Sequence, residues 1–257
     1  MGTSIPKIIH YCWFGKTDLP ESAKRCIDSW KKYCPDYQIK VWDESNFDIN
    51  SNAYISEAYN ARKWAFVSDY ARFEILYKNG GMYFDTDVEL IKPIDDIVSN
   101  GAFMGIEAES GKIAPGLGIG SAPGNSLYKE IIDYYGTQHF ISDSGGYNLE
   151  TVVDRVTNIF LKYGFNKENT LEIQNVAGIS IYPKEYFCPV DFSTMKINIT
   201  ENTRSIHHYD ASWHDDETKR LIKAEQACKR VFGKGILSWI LFRIYKYSTK
   251  FINLFRK

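Results

Sequence analysis

One stretch of the sequence, residues 64–90, constrains the fold more than any other because it joins a helix to a strand through two glycines. Apolar side chains recur every three or four positions before the glycines, which predicts an amphipathic helix over residues 62–79. Gly80 and Gly81 predict the end of that helix, since glycine readily adopts the left-handed backbone that closes a final turn. The chain is therefore expected to turn sharply and continue as a strand.

Two aspartates lie on this predicted strand, residues 82–88. The period of two along a strand places Asp85 and Asp87 on the same side, at its far end. Close carboxylates repel each other unless a cation lies between them, so the spacing indicates a divalent metal site. The alternative for an isolated Asp-x-Asp is a solvated turn. Likewise, Asp69 and Arg72 on the preceding helix would by themselves indicate only a surface ion pair.

The complete pattern around the aspartates resembles the sugar-nucleotide signature of glycosyltransferase family 32, which also occurs in the glucosylating domains of large clostridial toxins. The matching positions are Ser68, Asp69, Arg72, Leu76, Gly80, Gly81, Tyr83, Asp85, Asp87 and Val88. The resemblance implies an α/β fold of the GT-A type, with a Rossmann-like, mostly parallel sheet and flanking helices.

The resemblance also implies roles for individual residues of this pattern. Asp69 and Arg72 would hold the hydroxyl groups of the donor sugar, and Tyr83 and Asp85 would contact the donor nucleotide. Asp85 and Asp87 would bind the metal ion, which completes a predicted catalytic set with Asp69 and Arg72.

The first forty residues predict a strand, a helix and a second strand, over residues 6–14, 22–33 and 38–43. This β-α-β order favours a parallel, doubly wound sheet with its ligand crevice at the carboxyl ends of the strands. The segment from Ile5 to Gly15 also resembles the first strand of the family, in which an aromatic side chain stacks on the nucleotide base. Trp13 is the matching residue, and a core tryptophan is the structural alternative.

Two histidines and a Ser-Trp pair lie near the end of the resemblance. Neighbouring residues on a strand face opposite ways, so only one of His207 and His208 can face a given ion. In the family, a late histidine completes the metal site and a hydroxyl and an indole contact the diphosphate. The resemblance thus assigns His208 to the metal, with His207 in reserve, and places Ser212 and Trp213 at the diphosphate. Mn²⁺, or alternatively Mg²⁺, suits such a mixed oxygen and imidazole site.

Between these blocks the sequence predicts further strands over residues 102–108, 179–187 and 204–209, and helices over residues 125–136 and 148–163. Residues 110–125 are rich in glycine and proline, which predicts a flexible loop over the site.

The last forty residues differ in charge from the rest of the chain. No Asp or Glu follows Glu225, and residues 236–257 predict a basic, amphipathic helix. We therefore divide the chain into a catalytic domain, residues 1–214, and a helical extension, residues 215–257. Such a helix is expected to lie on an anionic membrane, and a terminal helix packed on the domain is the alternative.

Cysteine usage and the start of the chain bear on localisation. Five scattered cysteines without Cys-x-x-Cys spacing favour a reducing compartment over a disulfide framework or a zinc site. A strand pattern begins within five residues, so no signal peptide is expected, and no apolar run has the length of a membrane span. The expected location is cytoplasmic, peripheral to the inner face of a bacterial plasma membrane. Nucleic acid is not an expected partner.

The expected function is retaining transfer of a hexose from a nucleotide diphosphate sugar, with UDP-sugars favoured, to a hydroxyl of a glycan acceptor such as a lipid-linked polysaccharide intermediate. The alternatives are a protein acceptor, as in the toxins, and a sugar-nucleotide-binding protein without turnover. Asp85-Thr86-Asp87 also resembles the motif of haloacid-dehalogenase phosphatases. That reading is disfavoured because Glu89 stands where the motif has Thr or Val.

Overall fold

The computed structural model describes residues 4–210 and 216–254. Within these ranges the strands are β1 Ile8–Cys12, β2 Gln38–Trp42, β3 Gly81–Tyr83, β4 Val88–Leu90, β5 Phe103–Gly105, β6 Ile119–Ser121, β7 Gln174–Val176, β8 Ile179–Tyr182 and β9 Ser205–His207. The helices are α1 Glu21–Tyr33, α2 Ala53–Asn60, α3 Trp64–Asn79, α4 Asp95–Ser99, α5 Ser126–Gly136, α6 Val152–Leu161, α7 Lys184–Phe187, α8 Asp216–Phe232 and α9 Ile236–Leu254.

Seven strands form one sheet in the order β2-β1-β3-β6-β5-β8-β7, and β4 pairs with β9 in a separate ribbon. Strands β2, β1, β3, β5 and β8 run in one direction, whereas β6 and β7 run against it. The predicted α/β class with a Rossmann-like, mostly parallel sheet is confirmed. The sheet differs from a fully parallel one because β6 inserts antiparallel between β3 and β5.

Helices pack on both faces of the sheet, and the alternation along β1 shows why. Tyr11 packs edge-on against Trp30 of α1, with ring centroids 5.8 Å apart. The next residue, Cys12, joins the apolar core that includes α3. Successive residues of a strand point to opposite faces, so one strand supplies side chains to both layers.

Helix α3 packs against three strands of the main sheet, β1, β3 and β6. Its residues 70–76 are all buried, including the charged side chains Arg72 and Glu74. The helix predicted over residues 62–79 is present as α3, but it has no broad polar face, because neighbouring elements cover it on nearly every side. The predicted end is confirmed: the Gly80 amide donates to the Leu76 carbonyl, and Gly80 has a φ of +65°.

The single strand predicted over residues 82–88 is two strands separated by a turn. Strand β3 ends at Tyr83, and the Val88 amide then donates to the Asp85 carbonyl over 3.1 Å. Strand β4 begins at Val88 and pairs with β9 instead of continuing in the main sheet. The two aspartates thus converge through a turn between two sheets, not through strand alternation.

The prediction of a flexible loop over residues 110–125 is also wrong. This segment contains a 3-10 turn, Pro115–Leu117, and the buried strand β6 in the middle of the sheet. Its glycines reflect close packing: a Cβ on Gly120 would lie 2.3 Å from the Phe103 ring. Small residues here make room for aromatic neighbours, which composition alone does not distinguish from flexibility.

Two further elements differ from their predictions mainly in where they begin or end. The helix predicted over residues 148–163 is α6, which begins where the Thr151 side chain accepts from the Asp154 amide. The strand predicted over residues 179–187 ends at Tyr182, because Pro183 starts the short helix α7.

The chain forms two compact units. The first comprises Met1–Pro189 with Ile199–His208, and the second comprises Val190–Asn198 with Tyr209–Lys257. The second unit contains α8 and α9, which expose large apolar side chains, among them Ile236, Trp239 and Ile244. Among the described residues, no helix combines the length and the apolar character that crossing a membrane would require.

Candidate active site

A buried arginine lies between two carboxylates at the carboxyl end of β3. The Arg72 Nη2 atom is 2.8 Å from Asp69 Oδ1 and 3.2 Å from Asp85 Oδ1. Arg72 and Asp69 lie one turn apart on α3, and Asp85 follows β3, so the helix and the strand fix the triad. The side chain of Arg72 is only 3% exposed, which strengthens its interaction with both carboxylates.

Burial and the charges of neighbouring groups both shift the pKa values of Asp69, Arg72 and Asp85. Burial raises the pKa of Asp69 to about 7 against the opposing effect of Arg72. Burial likewise raises the pKa of Asp85, and Arg72 again lowers it. Although burial lowers the pKa of Arg72, the charges of Asp85, Tyr83 and Asp69 outweigh that effect and raise it. The arginine therefore stays charged and favours ionisation of its neighbours.

Tyr83 supports the same triad from β3. Its ring centroid is 4.9 Å from the Arg72 guanidinium, and its hydroxyl donates to Asp85 Oδ1 over 3.1 Å. Because Tyr83 is almost completely buried, it orients the Arg72 and Asp85 side chains from within the protein. Its predicted contact with the donor nucleotide stays a prediction.

Three potential metal ligands meet beside the arginine: Asp85, Asp87 and His207. Their ligand atoms all lie within 4.8 Å of one another. His207 Nε2 is 3.2 Å from Asp87 Oδ1, and both side chains are mostly buried. The pairing of β4 with β9 brings the two together, since Val88 is the register partner of His207.

Two carboxylate oxygens and an imidazole nitrogen are a donor set that suits Mn²⁺. Burial lowers the pKa of His207, but the negative charge of Asp87 and its hydrogen bond outweigh burial and raise it. A cation bound by the aspartates would replace that proton, so the three residues fit a divalent metal ion.

His208, the residue assigned to the metal from sequence, points elsewhere. Its Nε2 atom is 2.8 Å from Glu89 Oε2, while its amide donates to the Asp87 carbonyl over 2.9 Å. His207 is the last residue of β9 and contacts Asp87, whereas His208 follows the strand and contacts Glu89. The structure therefore places the reserve residue, His207, in the ligand cluster in place of His208.

The residue that contacts Asp85 from the other side is Gly116, which the sequence analysis missed. Its carbonyl accepts from the Asp85 amide over 3.1 Å, and a Cβ on Gly116 would lie 2.0 Å from Asp85 Oδ2. In the sequence, only the presence of a glycine within residues 114–118 could have indicated a close contact here. Nothing in its spacing identified Asp85 as the neighbour.

Trp13 follows the carboxyl end of β1, the strand that lies parallel to β3. Residues after adjacent parallel strands lie at one edge of the sheet, so Trp13 is on the side of Asp85. Its indole is half-buried and donates to the Thr17 carbonyl over 2.7 Å. Ser212 and Trp213, predicted at the diphosphate, lie outside the described residues.

Comparison with known proteins agrees with this site. Residues 20–104 match the family described as "Glycosyltransferase sugar-binding region containing DXD motif". That segment holds the buried Arg72 triad and both aspartates of the ligand cluster. The resemblance inferred from residues 68–88 is thereby confirmed, and the sheet with its Asp-x-Asp turn conforms to the GT-A type expected.

Two curated relatives come from Schizosaccharomyces pombe. Inositol phosphoceramide mannosyltransferase 1 is 30% identical over 111 residues, which cover 39% of this chain and 33% of the relative. Inositol phosphoceramide mannosyltransferase 3 is 35% identical over 121 residues, which cover 42% of this chain and 31% of the relative. The chain thus matches about a third of the length of these relatives.

Among solved structures, the PaToxG glycosyltransferase aligns with a TM-score of 0.46 and 19% identity, covering 63% of this chain and 70% of that chain.

Proposed function

We propose that this chain, a DXD-motif glycosyltransferase of the family 32 type, transfers a hexose from a nucleotide diphosphate sugar to a hydroxyl group of a glycan acceptor. One observation carries the proposal: Asp85 belongs both to the cluster with Asp87 and His207 and to the ion pair with Arg72. A site for a divalent cation therefore adjoins a buried guanidinium, which suits a diphosphate joined to a sugar.

The difficult step in this reaction is departure of the nucleoside diphosphate, because negative charge grows on it as the bond to the anomeric carbon breaks. A divalent ion, when bound, supplies Lewis-acid stabilisation of that charge. We assign its binding to Asp85, Asp87 and His207, with Mn²⁺ favoured over Mg²⁺.

Asp69 and Arg72 hold the donor sugar in this proposal. Ionised Asp69 accepts hydrogen bonds from sugar hydroxyls, and Arg72, 2.8 Å away, favours that ionised form against burial and fixes the carboxylate in position. Such contacts hold the ring as it flattens toward an oxocarbenium-like state, as in glycoside hydrolysis. We propose retention of the anomeric configuration by a reaction on one face of the sugar, without a covalent intermediate on the protein.

The donor and the acceptor complete the proposal. A half-buried indole beside the site supports stacking of a nucleotide base on Trp13, and we favour UDP-sugars as donors. The curated relatives are mannosyltransferases by name, which makes mannose a second candidate sugar. We propose a lipid-linked glycan as the acceptor.

The experiment that tests this function measures nucleotide release from a panel of UDP-sugars and GDP-mannose, with Mn²⁺, Mg²⁺ or EDTA. We expect metal-dependent turnover of one donor by the wild type and its loss in Asp87→Asn, which retains shape but loses a charge. Asp48→Asn, at an exposed loop aspartate outside the ligand cluster, is the matched control and retains turnover.

Other outcomes select the alternatives. Metal-dependent binding of a donor without turnover, in the presence of glycan acceptors, favours a protein acceptor or a binding protein without catalysis. Failure of every donor to bind contradicts the assignment of the site.

We further propose that the second unit attaches the enzyme to the cytoplasmic face of an anionic membrane. Helix α9 exposes Trp239 and Ile244 together with Arg243 and Lys246. Apolar and basic side chains on one helix suit an interfacial position, with about 1 kcal/mol from each basic group near the surface.

Cosedimentation with liposomes that contain phosphatidylglycerol tests this location. The double variant Arg243→Glu/Lys246→Glu should bind less, and Lys129→Glu, a charge reversal on α5, should bind as the wild type does. Equal binding by all three proteins contradicts a role for α9.

A further inference from the structure

A single tryptophan contacts the chain on both sides of the Asp-x-Asp turn. Trp30 lies on α1 and is completely buried. Its ring packs on Phe84, the residue before Asp85, with ring centroids 5.6 Å apart. Its indole Nε1 donates to the carbonyl of Val88, the residue after Asp87, over 2.7 Å. One side chain thus contacts the two residues that flank both aspartates of the ligand cluster.

The hydrogen bond to Val88 acts where the turn becomes strand β4. The Val88 amide donates to the Asp85 carbonyl over 3.1 Å, which closes the turn. The Val88 carbonyl accepts from Trp30, so both backbone groups of this residue are held. Val88 is also the register partner of His207, the third residue of the ligand cluster. A shift of Val88 would therefore change the separations of all three ligands.

Burial makes this hydrogen bond difficult to replace. Val88 and Trp30 are both 0% exposed, so bulk water does not reach the carbonyl or the indole N–H. A buried carbonyl without a donor is unfavourable, which favours a backbone shift that restores a partner. Such a shift would begin at the residue next to Asp87.

The preceding residue of α1 provides a second bond to β4, which does not involve the turn. Ser29 Oγ accepts from the Leu90 amide over 2.9 Å. Leu90 ends the strand, two residues beyond Val88. Helix α1 therefore holds β4 at two points, and only one of them lies next to a ligand.

We propose that Trp30 is a positioning residue for the metal site, which holds the Asp-x-Asp turn in the geometry that binds the ion. This inference rests on the proposed function, in which Asp85, Asp87 and His207 bind a divalent ion. Trp30 has no exposed surface and therefore touches neither the ion nor the donor. The competing explanation is that Trp30 only fills the core, and it makes different predictions.

Manganese affinity distinguishes the two roles, and electron paramagnetic resonance measures it without a donor. Trp30→Phe retains an aromatic ring and removes the N–H group. We expect it to weaken Mn²⁺ binding about tenfold, as loss of a residue that orients metal ligands does. Ser29→Ala removes the bond to Leu90 and should keep the affinity within about twofold of wild type, because it contacts neither flank of the turn. Equal losses in the two variants, or no loss in Trp30→Phe, would overturn the proposal.

A packing control addresses the smaller volume of phenylalanine. Tyr11 packs edge-on against Trp30 from β1, with ring centroids 5.8 Å apart. Tyr11→Leu removes that contact and keeps the indole N–H, so it should lower the urea midpoint without weakening Mn²⁺ binding. A loss of affinity equal to that in Trp30→Phe would instead establish core filling. If Trp30→Phe does not fold, benzothienylalanine at this position, which has sulfur in place of the N–H, provides the same test.

Amide hydrogen exchange in the metal-free protein tests the contact without any ligand. In Trp30→Phe, exchange at Val88 should accelerate at least about tenfold more than exchange at Leu90. In Ser29→Ala the order should be reversed. Equal acceleration at both amides in Trp30→Phe would indicate general loosening of β4 and contradict the proposal. Failure of the wild type to bind Mn²⁺ would contradict the proposed function, while the exchange rates would still decide whether Trp30 holds the turn.

Discussion

Gly116 and Asp85 are in direct contact through both backbone and side chain. The Gly116 carbonyl accepts the Asp85 amide hydrogen, and the Cα of Gly116 lies so near the carboxylate that a Cβ would be 2.0 Å from Oδ2. The 3-10 turn Pro115–Leu117 thereby limits where the Asp85 carboxylate can go. A loop segment with no charged group of its own thus sets the position of a predicted metal ligand.

Gly116→Ala should therefore impair the site without changing any charged residue. The added methyl group would push Asp85 away from Arg72, and we expect the Mn²⁺ affinity and kcat to fall at least about tenfold. Manganese binding measured by electron paramagnetic resonance, together with donor turnover, checks this. Gly136→Ala, at a glycine whose added Cβ would meet nothing within 4 Å, is the control and should behave as wild type. Normal Mn²⁺ binding by Gly116→Ala would contradict the contact.

The two adjacent histidines should respond differently to substitution. His207→Gln should weaken Mn²⁺ binding at least about tenfold, because it removes a ligand of the cluster, and His208→Gln should change it less than about twofold. Isothermal titration calorimetry in two buffers of different ionisation enthalpy also measures proton release. Since the pKa of His207 is raised, Mn²⁺ should displace a proton from it below neutral pH. A larger loss of affinity in His208→Gln would restore the assignment made from sequence.

Arg72→Lys should be a severe substitution although it conserves the charge. A lysine presents a single ammonium group, whereas the guanidinium of Arg72 reaches both Asp69 and Asp85. We expect kcat/KM for donor turnover to fall at least about 100-fold. The control is Arg25→Lys, at an exposed position of α1, which should retain full turnover. Similar kinetics for the two variants would show that the bridge is not required.

His10 predicts a loss of stability in acid. Its Nδ1 accepts from the Trp42 indole over 3.0 Å and its Nε2 donates to the Gly80 carbonyl, so only the neutral ring satisfies both partners. Burial, against the hydrogen bond to Gly80, lowers the pKa of His10 to about 4. The neutral His10 ring therefore contributes to the free energy of unfolding above pH 6.5, the pKa of histidine in the unfolded chain, and this contribution is lost as the pH falls to about 4. It amounts to about 3 kcal/mol.

Urea unfolding between pH 7 and pH 4 measures this loss. In His10→Gln, whose amide can both donate and accept, the loss should be smaller by most of that amount. An identical pH dependence in the two proteins would exclude His10 as its source.

Local patterns in the sequence predicted the features that depend on neighbouring residues. Gly80 ends α3 as expected, because the left-handed backbone at that residue is a local requirement. The pairing of Asp69 with Arg72 likewise follows from helical spacing. The β-α-β order of the first forty residues also predicted β1, α1 and β2 within one or two residues.

The features that the sequence did not predict depend on distant partners. The strand through residues 82–88 breaks because β4 pairs with β9, which lies far later in the chain. The contact of His207 with Asp87 depends on the same register, which the sequence around the two histidines cannot determine by itself. Gly116 contacts Asp85 only because the fold brings the two together, so no motif identified it.

The pairing of β4 with β9 also affects the order of events during folding. The DXD region is complete once residue 104 has been synthesised, but His207 becomes available only a hundred or so residues later. Closing so long a loop is slow relative to forming local helices, so the ligand cluster should assemble among the last events. In refolding experiments, Mn²⁺ binding should therefore appear with the slowest phase, after most helical signal has returned; simultaneous recovery would contradict this order. Capacity to bind metal would then mark completed chains and distinguish them from partly folded ones.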